Sequence, residues 1–154
     1  MRDSGGTLAV TGSGQAVRVF VYGTLKRGLR NYPAMQGAGV SQVQTAVLKG
    51  FVLYNVPNFE RPYPYPCLIP GRGTVMGELH TLGASELEPE DALRVLDHLE
   101  LEGLEYRRVK TWVRCRGRLE RAWVYVYHSK KLVHQVRATR VRNLAWFPKP
   151  SRGR

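Results

Sequence analysis

The apolar positions fall in short runs that read mostly as strands, with one clear helix. Val17–Tyr22 is an apolar run closed by Tyr22-Gly23-Thr24-Leu25, the mark of a strand entering a glycine turn. Lys26–Pro33 reads as a loop that runs into a short helix near Met35, and Ala46–Tyr54 as a second strand. Residues 57–70 hold five of the nine prolines, including Arg61-Pro62-Tyr63-Pro64-Tyr65-Pro66. Proline lacks an amide hydrogen and fixes φ, so this segment is expected to avoid helix and central strand and to form a rigid surface loop. Gly71 and Gly73 then mark a turn into a strand at Thr74–Thr81. Further on, Tyr106–Cys115 sets Val109, Thr111, Val113 and Cys115 on one face, Gly117 marks a turn, and Ala122–His128 alternates Trp123, Tyr125 and Tyr127. That is a hairpin, its aromatic arm read as core packing. Lys131–Leu144 fits a basic helix or a strand equally. Strands with one clear helix predict an α+β fold with a partly closed sheet.

The helix is Pro89–Leu101. Proline suits its first position, and Glu88, Glu90 and Asp91 suit the positive end of its dipole. At about 100° per residue, Glu100 falls about 20° from Leu93 and about 40° from Leu96, on the apolar face. A carboxylate removed from water costs several kcal/mol unless it is paired or used. Apolar neighbours and the negative end of the helix both favour its protonated form, which suits a general base. The competing reading is that the helix frays early and Glu100 reaches water. Glu102 and Glu105, beside Gly103, read as solvated loop carboxylates.

The chain has 154 residues, 43% of them hydrophobic, which suits one globular domain. We expect residues 1–16 to be a flexible Gly/Ser/Thr-rich leader, 17–148 a single domain and 149–154 a basic tail. No apolar run reaches the roughly 18 residues of a membrane span, and the N-terminus does not read as a signal peptide. Two distant cysteines, Cys67 and Cys115, fit a reducing, cytoplasmic setting. The four histidines have no metal-ligand spacing, and HExxH and CxxC are absent, so no zinc site is expected. The net charge of +12 would attract polyanions, with Arg137, Arg140, Arg142, Lys149, Arg152 and Arg154 crowding the end. A solvated basic surface accounts for this, and no nucleic-acid motif accompanies it.

The Tyr22–Leu25 turn offers backbone N–H groups that could hold a developing negative charge, although a plain turn has the same sequence. It is neither a phosphate loop, since GxxxxGK[ST] is absent, nor a nucleophile elbow, since GxSxG is absent. Thr24 has no neighbouring histidine to activate it, and Cys67 between Pro66 and Leu68 reads as a packed thiol.

In combination, these segments resemble the gamma-glutamylcyclotransferase-like family, in particular its gamma-glutamylamine cyclotransferase and AIG2-like branch. Val19-Phe20-Val21-Tyr22-Gly23-Thr24-Leu25-Lys26-Arg27-Gly28 resembles the family's YG[ST]L opening. Pro70-Gly71-x-Gly73-x-Val75-x-Gly77-Glu78 resembles its PGxGxVxGE stretch. Leu96-Asp97-His98-Leu99-Glu100 resembles its LDxxE segment, with Tyr106 and Arg108 matching the Tyr-x-Arg that follows, and Trp123–Tyr127 resembles the late aromatic strand. The proline-rich loop does not map onto the family. The resemblance implies a small mixed β-barrel with flanking helices and a cofactor-independent, lyase-like cyclisation. The α-amine of a γ-glutamyl amide would attack its own γ-carbonyl, releasing 5-oxoproline and an amine. Glu100 would be the catalytic acid/base. Tyr22, Gly23, Thr24 and Leu25 would hold the substrate, with Tyr106 and Tyr125 lining the cavity or merely packing. The substrate's α-carboxylate would meet amides of the same loop, or Lys26, Arg27 or Arg30, which read equally as solvated cations. Two other readings stay open: a binding module on the same fold that has lost turnover, and a basic nucleic-acid-binding protein that uses the tail.

Overall fold

Strand β1 (Val17–Val21) is apolar at the successive positions Val19, Phe20 and Val21 because both of its faces are buried there. Val19 and Val21 face one apolar cluster, and Phe20 faces another. The computed structural model describes residues 17–57, 65–83, 89–99, 106–127, 138–141 and 145–146. After β1 come helix α1 (Tyr32–Gly37), strands β2 (Val40–Val56) and β3 (Tyr65–Leu82), and helix α2 (Pro89–Leu99). Strands β4 (Tyr106–Cys115), β5 (Arg118–Tyr127) and β6 (Thr139–Arg140) complete the set.

The sheet runs in the order β3-β1-β5-β4-β2-β6, and β2 also pairs with β3, so five strands close into a ring. It is mixed: β1 lies parallel to β5 and the other pairs are antiparallel. One apolar cluster draws Phe20, Leu48, Leu79, Val113 and Val124 from all five ring strands and fills the ring. The other joins Val19, Val21 and Tyr125 to Met35 of α1 and to Leu93 and Leu96 of α2, so the helices cover one outer side. The expected α+β architecture, a mixed closed sheet with flanking helices, is what the chain adopts.

The hairpin follows its sequence closely. Strand β4 has the expected bounds. Arg116 and Gly117, both at positive φ, make the two-residue turn whose twist matches the flanking strands. Strand β5 starts at Arg118 rather than Ala122, and β2 starts at Val40 rather than Ala46, because ladder pairing carries polar residues along. Helix α2 is described through Leu99. Glu100, Glu102 and Glu105 lie outside the described residues, as do the expected leader, the tail and most of 131–144. Of that last stretch, Thr139–Arg140 is strand.

Two expectations are corrected. The proline-rich segment is not a surface loop throughout: Tyr65–Pro70 is the first part of β3, paired with Phe51–Val56, and Tyr65 through Ile69 are buried. Among the described residues this half of β3 pairs only with β2, leaving its other edge open. Pro66 and Pro70 share one parity along the strand, so both missing amide hydrogens can fall on that open edge. Gly71 and Gly73 are not a turn either; β3 runs straight through them. Gly73 is needed because a Cβ there would strike the Phe51 carbonyl of β2.

Candidate active site

The turn that follows β1 is fixed through its carbonyl groups. The Lys26 N–H donates to the Gly23 carbonyl at 3.0 Å, and the Asn31 N–H to that of Thr24 at 2.8 Å. Asn31 Nδ2 also donates to Thr24 Oγ1 at 2.8 Å. The Arg27 N–H donates to Glu78 Oε1 at 2.8 Å and ties the turn to β3. By contrast, the N–H groups of Gly23, Thr24 and Leu25 donate to no acceptor among the described residues. Thr24 and Leu25 are 9% and 4% exposed. Buried amides are rarely left without partners, so these three N–H groups are available to an acceptor from outside the described residues.

Tyr22, Gly23, Thr24, Leu25, Tyr106 and Tyr125, the six residues expected around a substrate, all line one cavity at the end of β1. Phe20, Val21 and Pro66 complete its described walls. It lies between the two apolar clusters, since Phe20 and Tyr22 belong to one and Leu25, Tyr106 and Tyr125 to the other. The enclosed space is about 20 Å³, enough for a single water-sized group. Gly23 sets this size: a Cβ on it would stand 2.5 Å from Pro66 Cγ. Tyr106 donates its hydroxyl to the Pro66 carbonyl and holds that strand against the turn.

The tyrosines are tied to helix α2 through Asp97, a residue to which the sequence reading gave no role. Tyr22 Oη donates to the Tyr125 carbonyl at 2.6 Å, and Tyr125 Oη donates to Asp97 Oδ1 at 2.6 Å. Arg108 grips the same carboxylate twice, Nε to Oδ1 at 2.8 Å and Nη2 to Oδ2 at 3.0 Å. The guanidinium also lies 4.4 Å from the centroid of the Trp123 ring. Asp97 was legible only as part of the segment that ends in Glu100; its partners come from β4 and β5 and leave no local signal. Pro66 was missed because its segment read as loop.

Lys26, weighed as a solvated cation or a carboxylate partner, is neither exposed nor in this cavity. It is 6% exposed, and Nζ donates to the Trp146 carbonyl at 2.7 Å. Burial pushes its pKa below the usual lysine value, opposed by the nearby Glu78 charge. Arg27 and Arg30 are exposed, and neither lines the cavity. Cys67 is wholly buried, as a packed thiol should be, and Tyr125 and Tyr127 are core residues. Among the described residues no group of three or more His, Cys, Asp or Glu side chains could hold a metal ion, and no helix is long and apolar enough to cross a membrane.

A closed mixed sheet with a cavity at the end of β1, walled by a glycine turn and tyrosines, is the class of site that fold and geometry define. Comparison with known proteins makes the class specific. The model of the gamma-glutamyl cyclotransferase, AIG2-like family matches residues 19–146, and the chain belongs to that family. A Vibrio cholerae protein named as a candidate gamma-glutamylcyclotransferase is 31% identical over 121 residues, covering 77% of this chain and 88% of that protein. The crystal structure of a mouse AIG2-like protein superposes with a TM-score of 0.65 at 22% identity, covering 91% of this chain and 99% of the mouse chain. An uncharacterised Pyrococcus horikoshii protein superposes with a TM-score of 0.54 at 24% identity, covering 82% and 86%. At those identities the two structures speak for the fold alone.

Proposed function

We propose that this protein is a gamma-glutamyl cyclotransferase that releases 5-oxoproline and a free amine from a γ-glutamyl amide, with Glu100 as general acid/base. The observation that carries this reading is the Gly23–Leu25 turn. Its three residues, whose N–H groups have no acceptor among the described residues, line the same cavity as Tyr125, and Tyr125 is hydrogen-bonded to Asp97 three positions before Glu100. A cavity of this size suits one charged oxygen and not a whole substrate, so the turn's task is to grip the reacting carbonyl.

In this reaction Glu100 takes a proton from the substrate's α-ammonium. The freed nitrogen lone pair attacks the γ-carbonyl carbon, closing a five-membered ring and moving the carbonyl π electrons onto oxygen. Amides of the turn hold that oxyanion, at about 3 kcal/mol per donor in comparable sites. As the carbonyl re-forms, the C–N bond to the leaving amine breaks, and the Glu100 carboxyl protonates the departing nitrogen. The ring nitrogen gives its extra proton to solvent, leaving the lactam. Because nucleophile and electrophile belong to one molecule, positioning supplies much of the acceleration.

The test is 5-oxoproline release from a panel of γ-glutamyl amines, γ-glutamyl dipeptides and glutathione, with wild type beside Glu100→Gln. The isosteric change keeps the shape and removes the proton acceptor, so turnover should fall by about 10²-fold or more. Equal rates in the two proteins would remove Glu100 from the mechanism. Substrate binding without product from either would identify a module that keeps the fold and has lost turnover.

A further inference from the structure

A second cavity, of about 210 Å³, opens on the other end of the same turn, and the first cavity's chemistry makes no use of it. Its charged walls are Lys26, Arg27 and Glu78, and Leu29, Met76 and Ala145 supply an apolar lining. The charges are not equivalent. Lys26 is committed to the Trp146 carbonyl. The Arg27 guanidinium is exposed and makes no ion pair among the described residues, since only its backbone N–H is engaged. Glu78 spends one oxygen twice: Oε1 accepts from the Arg27 N–H at 2.8 Å and meets His80 Nε2 at 3.0 Å. Its Oε2 accepts nothing among the described residues. His80 is wholly buried and its Nδ1 has no partner among the described residues, so the neutral tautomer with the proton on Nε2 fits, donating to Glu78.

We propose that this cavity is a binding site for a small zwitterion, an α-amino acid with an unbranched apolar side chain. The carboxylate pairs with Arg27, whose planar fork suits it. The ammonium takes the spare oxygen of Glu78, and the side chain lies along Leu29, Met76 and Ala145. A dianion or polyanion would have to sit against the Glu78 carboxylate, and a simple amine against Arg27 and Lys26. The volume lies below the roughly 300 Å³ at which drug-sized sites begin, which points to a ligand of amino-acid size.

The test uses three probes of one carbon skeleton: L-norleucine, hexanoate without the ammonium, and pentylamine without the carboxylate. Binding is read from amide chemical shifts of the full-length protein. Norleucine should shift the Arg27, Met76 and Gly77 amides saturably. Hexanoate and pentylamine should each bind about tenfold more weakly or worse, the scale of one charge-assisted contact. Arg27→Gln keeps the backbone bond to Glu78 and should weaken norleucine about tenfold, and Glu78→Gln, which keeps an oxygen acceptor, should do the same. No saturable shift up to the solubility limit, hexanoate binding as tightly as norleucine, or unchanged affinity in Arg27→Gln would overturn the proposal. The readout is binding alone, so it stands or falls apart from turnover in the first cavity.

Discussion

Replacing Asp97 with asparagine asks whether one carboxylate fastens helix α2 to the wall of the first cavity. Asp97 accepts from Arg108 Nε at 2.8 Å, Arg108 Nη2 at 3.0 Å and Tyr125 Oη at 2.6 Å. The two side chains of the ion pair are 17% and 20% exposed, so water can replace lost partners only in part. Asparagine keeps Oδ1 for Nε and the phenol, but its amide hydrogens then face Arg108 Nη2, donor against donor. Bonds to charged groups contribute about 1.5–3 kcal/mol, and breaking a fully buried pair costs about 3–5 kcal/mol. Partial exposure and the surviving Oδ1 put the expected cost at the lower end, about 2 kcal/mol. At about 2–4 °C per kcal/mol for a domain of this size, Tm should fall by about 4–8 °C. Thermal unfolding followed by circular dichroism measures it. Tyr125→Phe alone should cost about 1 kcal/mol, and the double variant should cost less than the sum of the two by at least about 0.5 kcal/mol. A Tm within about 1 °C of wild type, or strictly additive losses, would refute the claim that the carboxylate organises this wall.

Gly23→Ala places a methyl group 2.5 Å from Pro66 Cγ, so it should cost about 1–3 kcal/mol and depress 5-oxoproline release; an unchanged denaturation midpoint with unchanged turnover would count against the close approach. Burial holds the His80 pKa below 6.5, outweighing the Glu78 partner that raises it. The unfolded chain therefore binds that proton more readily, so stability is full above the unfolded value and declines as pH falls from there toward the folded pKa. His80→Gln should flatten part of the fall in denaturant midpoint between about pH 7.5 and pH 5.5, and an identical pH profile would exclude His80 as its source. Cys67 is fully buried, and burial pushes the Cys115 thiol above its usual pKa, so a disulfide-exchange reagent should label the native protein slowly and reach two thiols per chain only on unfolding.

What the sequence made legible was local. The Tyr22–Leu25 turn, the bounds of β4, the Gly117 turn and the apolar face of α2 each rest on spacing within a dozen residues, and each is found in the fold. What stayed hidden depends on partners far along the chain. A proline is tolerated in a strand only on an unpaired edge, and the edge of Tyr65–Pro70 is set by where β1 stops pairing with β3. Lys26 is buried because a carbonyl 120 residues away receives its ammonium. Asp97 matters because β4 and β5 bring Arg108 and Tyr125 to it. Periodicity reports which face is covered and does not report by what.

The Gly23–Leu25 turn is the place where fold and chemistry pull in opposite directions. A buried amide without an acceptor costs about 1–3 kcal/mol, so three amides with none among the described residues are a liability that architecture alone would remove. The surroundings instead hold the turn in that state. Strand β1 is paired on both edges and cannot slide. Asn31 takes both acceptors of Thr24, and Glu78 with His80 behind it secures the next residues to β3. Pro66 closes over Gly23, held there by Tyr106. Donors fixed before a charge arrives need no reorganisation when it does, which is what stabilising an oxyanion requires. A turn braced on its carbonyl side, with no acceptor among the described residues on its amide side, is what the proposed oxyanion role requires, and locally unfavourable choices of this kind are expected at functional positions.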